Sequence, residues 1–168
     1  MHWLRVARTA ALALLLAPAV APARAWLPPP GHVQMPLWPT LVPDALPHPR
    51  PESVGTGEGK RPWTKVGDVS RPTITVYAPK GQNTGAAAVV FPGGGYQVLA
   101  MDLEGTDICD WLSGRGITCV LLKYRVPNSG PTWTNGGRYY PKVQTALQDA
   151  QRALGLVRQH ADDWGVDP

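Results

Sequence analysis

Residues Ala86–Phe91 read Ala-Ala-Ala-Val-Val-Phe, an unbroken apolar run that stops abruptly at Pro92-Gly-Gly-Gly95. A strand with one wet face alternates apolar and polar residues. This run does not alternate, so it predicts a strand covered on both faces, as in a parallel or mixed α/β sheet. Ile117-Thr-Cys-Val-Leu-Leu-Lys123 is a second run of the same kind. Between them, Leu103–Ser113 predicts a helix with Ile108, Trp111 and Leu112 on its apolar stripe, stopped by Gly114 and Gly116. Strand, helix and strand in that order predict a βαβ unit with a right-handed crossover.

The flanking sequence extends the pattern. In Pro72–Ala78, Thr73, Thr75 and Tyr77 alternate with Ile74, Val76 and Ala78, predicting a strand. Thr64–Val69 predicts a shorter one. Tyr124–Tyr140 is polar and rich in Pro, Gly and Asn, hence a loop. From Pro141 the apolar residues Val143, Ala146, Leu147, Ala150, Ala153, Leu154, Val157, Ala161 and Trp164 recur at three- and four-residue steps, up to a stop at Gly165. They predict a long helix lying on the sheet. Such a helix leads into a further strand in an α/β domain. The sequence therefore reads as the front part of such a domain, and both apolar strands are expected to lack neighbours within it.

The N-terminus has another logic. Arg5 and Arg8 precede an apolar stretch, Thr9–Ala21, and Ala23-Arg24-Ala25 places small residues at the two cleavage-determining positions. This predicts a secretory signal over residues 1–25, cut before Trp26. The apolar stretch is too short for a membrane span, which needs about 20 residues. The net charge of +4 shrinks accordingly, because 3 of the 16 bases and none of the 12 acids lie in the first 25 residues. The 13 bases and 12 acids that remain leave a net of +1. No basic cluster denser than Lys60-Arg61 follows, which argues against a nucleic-acid partner.

Residues 26–62 form a Pro-rich lead-in, with nine prolines between Trp26 and Pro51. It is expected to be extended and pinned by Trp26, Leu37, Trp38 and Leu41, with Gly55–Gly59 a flexible hinge. Residues 63–168 form the domain proper. Cys109 falls on the predicted helix and Cys119 on the strand after it. Helix and sheet pack about 10 Å apart, beyond the Cα separation of a disulfide, so two buried thiols are expected.

The chemistry concentrates at Val89-Val-Phe-Pro-Gly-Gly-Gly-Tyr96. Glycines directly after a buried strand let backbone N–H groups face a cavity, where they can hold a developing oxyanion. The sequence resembles the N-terminal half of an α/β-hydrolase of the esterase/lipase type. It is most similar to the secreted bacterial acetyl xylan esterase-like group, loosely termed "xylanase B-like". The resemblance rests on Phe91–Tyr96, Glu104-Gly105 with Trp111-Leu112, Val120–Pro127, and Leu147–Ala153 with Trp164–Pro168. These stretches stand in family order across residues 72–168. The resemblance implies that Gly94 and Gly95 are the oxyanion-hole N–H donors. It implies that Tyr96 lines the acyl or leaving-group side of the substrate pocket. Pro92 stands where many relatives carry His. The implied substrate is a small-molecule or polysaccharide ester, outside the cell or in the periplasm. The implied chemistry uses no metal and no organic cofactor. No nucleic acid and no stable membrane insertion are expected.

In that family the Gly-x-Ser-x-Gly nucleophile elbow, the acid and the catalytic His all follow a segment like Trp164–Pro168. None of the four serines here, Ser53, Ser70, Ser113 and Ser129, has Gly at both flanking positions. His160 precedes the elbow position and is expected at the surface or at a helix cap. The chain by itself is thus expected to lack a nucleophile. The alternative is a non-catalytic secreted carbohydrate-binding module that uses exposed Trp residues. Arg125 and Asp149 are expected to form a structural ion pair holding the 124–140 loop. Glu104 and Asp107 are expected to be solvated helix acids.

Overall fold

The computed structural model describes residues 25–126, 132–134, 137–139 and 143–167. Its main sheet has four strands in the order β1-β4-β7-β5: β1 (Gln34–Pro36), β4 (Thr73–Tyr77), β7 (Thr118–Lys123) and β5 (Ala87–Val90). β4 runs antiparallel to both β1 and β7, whereas β5 is parallel to β7. A second antiparallel sheet joins β2 (Ser53–Gly57), β3 (Trp63–Gly67) and β6 (Val98–Ala100). β8 (Thr132–Thr134) and β9 (Gly137–Tyr139) form a small hairpin. The helices are α1 (Asp107–Ser113), α2 (Val143–Gln159) and α3 (Ala161–Trp164), so the one long helix expected up to Gly165 is broken at His160, whose backbone leaves the helical region at φ −106° and ψ 20°.

The expected βαβ unit is present, with α1 between the parallel strands β5 and β7. Every residue of β7 is buried, as its unbroken apolar run requires. Two expectations change. β7 has neighbours on both sides, so it is not an open strand. β5 is half-buried along its length, and it is the edge strand, with β7 as its one partner among the described residues. A run without alternation marks a strand meant for the interior; here that covering is incomplete.

The lead-in is part of the fold. β1 extends the main sheet, and Leu37 is fully buried with its N–H on Pro72 O at 3.0 Å. Trp26 is buried and Trp38 packs on the core, whereas Leu41 is exposed. The stretch expected as a hinge is largely strand. Residues Ser53–Gly57 form β2, because pairing with β3 satisfies the backbone that Gly leaves unconstrained.

The cysteines overturn another expectation. Cys109 and Cys119 form a disulfide, with Cα atoms 5.2 Å apart. The 10 Å spacing separates a helix axis from a sheet. A Cα on the near side of the helix lies about 2.3 Å closer. Gly105 brings the helix closer still: a Cβ there would lie 3.0 Å from the Leu121 side chain and 3.1 Å from Pro92. The chain enters α1 through a π-helical turn, Asp102–Thr106. Asp102 accepts from Thr64 N–H at 2.8 Å and from the Thr64 hydroxyl at 3.1 Å, tying that turn to β3. Burial works to raise the Asp102 pKa, but these bonds and one from Leu103 N–H outweigh it and hold it below the ordinary value.

Candidate active site

The Pro92–Tyr96 turn leaves the carboxyl end of β5, beside the carboxyl end of β7. Open α/β sheets place their ligand crevices at those ends. The path of the turn is dictated by its glycines. Gly94 has φ +141° and Gly95 has φ +62°, a region costly for residues with a Cβ. A Cβ on Gly94 would lie 2.0 Å from Val98 O. Tyr96 shares the positive region at φ +59°, where a bulky residue persists only if its surroundings hold it.

Those surroundings are a set of hydrogen bonds to the turn. Gly94 O accepts from Gln97 N–H at 3.1 Å and Val98 N–H at 3.3 Å. Gly93 O accepts from Ala100 N–H at 2.9 Å. Glu104 Oε2 accepts from Gly93 N–H at 2.9 Å. The Tyr124 hydroxyl donates to Pro92 O at 2.7 Å. Burial pushes the Tyr124 pKa up to about 12, and the nearby Tyr96 and Glu104 add to the shift, so its donor proton stays in place. Among the described residues, no acceptor faces the N–H groups of Gly94 and Gly95. Both glycines are exposed.

Beside the turn lies a cleft of about 210 Å³ lined by Phe91, Tyr96, Tyr124, Ala146, Leu147 and Ala150. Tyr96 stands edge-on to Tyr124, with ring centroids 6.4 Å apart. The cleft joins the Gly turn to the first turns of α2, elements far apart in sequence. Its walls are mostly apolar, suited to an acyl or other small apolar group.

Arg125 and Asp149 form the expected pair, with Arg125 Nη2 2.8 Å from Asp149 Oδ1 and both side chains buried. Asp149 also accepts from Arg125 N–H at 3.0 Å and from the Trp38 indole at 2.9 Å. Arg125 donates further to Pro43 O, Thr145 O and Gln148. The guanidinium thus spends its donors on the lead-in and α2. Most of the 124–140 loop lies outside the described residues.

Glu104 and Asp107 are not merely solvated. Glu104 holds Gly93, and Asp107 pairs with Arg61 across 46 residues of sequence. Sequence reasoning missed Glu104 because its partner is a backbone N–H. It also missed Tyr124, which directly follows the buried strand β7, where a polar tip can reach the turn. His160 precedes α3 and faces Asp163 at 3.0 Å, as expected of a surface or capping residue. Ser113 is buried and donates its hydroxyl to Ala78 O at 2.7 Å, a structural role.

No family model matches the chain. Over 103 residues, 61% of its length, it is 29% identical to an acetylxylan esterase of Xylanibacter ruminicola and spans 19% of that protein. Its fold is similar to that of an acetyl ester-xyloside bifunctional hydrolase from Caldicellulosiruptor lactoaceticus. The TM-score is 0.53 and the identity 27%, over 81% of this chain and 39% of the other. The chain therefore spans less than half of either protein. Among the described residues, no helix is long and apolar enough to cross a membrane.

Proposed function

Taking the chain as a partial α/β-hydrolase of the acetyl xylan esterase-like kind, we propose that it supplies the oxyanion-binding portion of a secreted carboxylic-ester hydrolase. The observation that supports this reading is the Gly93–Gly95 turn: tethered by Glu104 and Tyr124, with no acceptor for the N–H groups of Gly94 and Gly95 among the described residues. Preorganised donors of this kind are effective because they need no rearrangement as charge develops on the carbonyl oxygen. In the reaction, a serine oxygen attacks the ester carbonyl, and the carbonyl oxygen takes up negative charge against Gly94 and Gly95. A histidine then hands the serine's proton to the departing alcohol. Tyr96 lines the cleft that receives the acyl or leaving group. No described residue is assigned the role of the serine, the histidine or its acid partner.

The substrate proposed is an acetylated cell-wall sugar. Its support is the likeness to an acetylxylan esterase and to an acetyl ester-xyloside hydrolase. Secretion, with residues 1–25 as signal, 26–62 as lead-in and 63–168 as domain, is supported by the Cys109–Cys119 disulfide, a bond of oxidising compartments. The test is Gly94→Pro in a chain extended past Pro168 through the elbow. Removing the donor is expected to lower kcat for acetate release from acetylated xylan by about 10²–10³-fold. An unchanged rate would remove Gly94 from the oxyanion hole.

A further inference from the structure

Lys123, the last residue of β7, has a side chain only 3% exposed, and its partner Glu52 is 10% exposed. Lys123 Nζ lies 2.9 Å and 2.8 Å from the two Glu52 carboxylate oxygens. A buried pair is tolerated only where its remaining lone pairs and protons are satisfied. Glu52 Oε1 has one more partner, the backbone nitrogen of Trp26 at 2.7 Å. Trp26 is buried in the core, while Ala25 before it is exposed.

Two independent observations meet at that nitrogen. The first 25 residues place a signal-peptide cut between Ala25 and Trp26, from the Ala23-Arg24-Ala25 pattern alone. The fold, with no reference to that pattern, aims a nearly buried carboxylate at the nitrogen the cut would release. We infer that cleavage at Ala25–Trp26 creates an α-ammonium that joins the buried Glu52–Lys123 pair and locks the mature N-terminus onto the main sheet.

The chemistry balances as a simple hydrolysis. A signal endopeptidase adds water across the Ala25 C–Trp26 N bond. Ala25 leaves as a carboxylate with the water oxygen, and Trp26 keeps the nitrogen and gains both protons of the water. An α-amine titrates at about 7.7, so near neutral pH it is mostly the ammonium. Before the cut, the same nitrogen is a neutral amide with one N–H. After it, the nitrogen carries a positive charge and three N–H donors. Charge-assisted bonds are roughly twice as strong as neutral ones. The carboxylate has about four acceptor sites, enough for both cations. Maturation therefore tightens the N-terminal segment without moving it. This inference is independent of the ester-hydrolase reading.

The test exports the full 168-residue chain from a bacterial host, sequences its N-terminus, and labels amines with acetic anhydride near neutral pH, read by peptide mass spectrometry. The mature chain is expected to begin at Trp26. Its α-amine is expected to label about tenfold more slowly than in Glu52→Gln. A second variant inserts one Gly between Ala25 and Trp26, keeping Glu52 but displacing the amine; it is expected to label as fast as an open terminus. Should Glu52→Gln not fold, the insertion decides alone. An N-terminus elsewhere than Trp26, or equal labelling in parent and insertion variant, overturns the inference.

Discussion

The two edges of the main sheet are finished in opposite ways. β1 is three residues long, ends at Pro36, and leads into a segment fastened by side chains that reach its backbone and indole. Arg125 donates to Pro43 O, Arg152 to Leu37 O, and the Trp38 indole to Asp149. β5 carries only Ala and Val and, among the described residues, pairs on one side. An opening of about 360 Å³ lies at the start of β5, with walls that include Ala87, Val157, Arg158 and Asp167. Proline and brevity blunt a sheet edge against further pairing, and a bare apolar edge invites it. The β1 edge is blunted by Pro36 and its anchored continuation, whereas the β5 edge carries no such device among the described residues. The candidate oxyanion turn grows from that strand.

The largest expected effect comes from breaking the blunted edge. Asp149→Ala strands a buried Arg125 and orphans the Trp38 indole. Removing one partner of a buried pair costs about 3–5 kcal/mol, a large share of a small domain's stability. The variant is expected to lose its cooperative unfolding transition in urea. If it unfolds like the parent, side-chain anchoring does not hold the β1 edge.

An intermediate effect lies between the edges. The disulfide closes a 10-residue separation and ties α1 to β7. Replacing both cysteines by serine is expected to cost about 3 kcal/mol, chiefly by freeing the unfolded chain. The urea midpoint should fall, with the sheet's circular dichroism unchanged at zero denaturant.

The smallest effect on stability, and the sharpest contrast, is expected at the β5 edge. Ala88→Lys places a charge on half-buried β5. It should shift the chain from associated species toward monomer and abolish binding of the dye ANS, while changing stability by less than about 1 kcal/mol. A parent chain that is already monomeric and binds no ANS would show that the β5 edge is closed after all.

The sequence made the local features legible. The unbroken runs 86–91 and 117–123 announced the parallel pair, and Gly114 and Gly116 marked the end of α1. The Gly triplet announced the turn, because few structures need three glycines after a buried strand. What sequence could not show was long-range company. Gly55–Gly59 looks like a hinge because composition alone does not reveal that β3 awaits it. The disulfide was hidden behind an average packing distance that Gly105 locally shortens. Glu104 and Tyr124 act on backbone atoms of the turn, and a backbone partner leaves no trace in residue spacing. Neither Glu52 nor Lys123 stood out as a charge in the sequence reading, although a Lys closing a largely apolar strand signals the need for a buried carboxylate.

The central proposal is that the Gly93–Gly95 turn binds an oxyanion and that none of the described residues is the nucleophile that would use it. Hydrolysis of p-nitrophenyl acetate tests it most directly, measured side by side for the purified 168-residue chain and for a chain extended past Pro168 through a Gly-x-Ser-x-Gly elbow. Ester hydrolysis needs an activated nucleophile as well as an oxyanion hole. The account predicts turnover by the extended chain and none above the buffer rate by the 168-residue chain. Robust turnover by the 168-residue chain would contradict it. With Ser113 committed to Ala78 O, the search for a nucleophile would then begin at Ser129, outside the described residues.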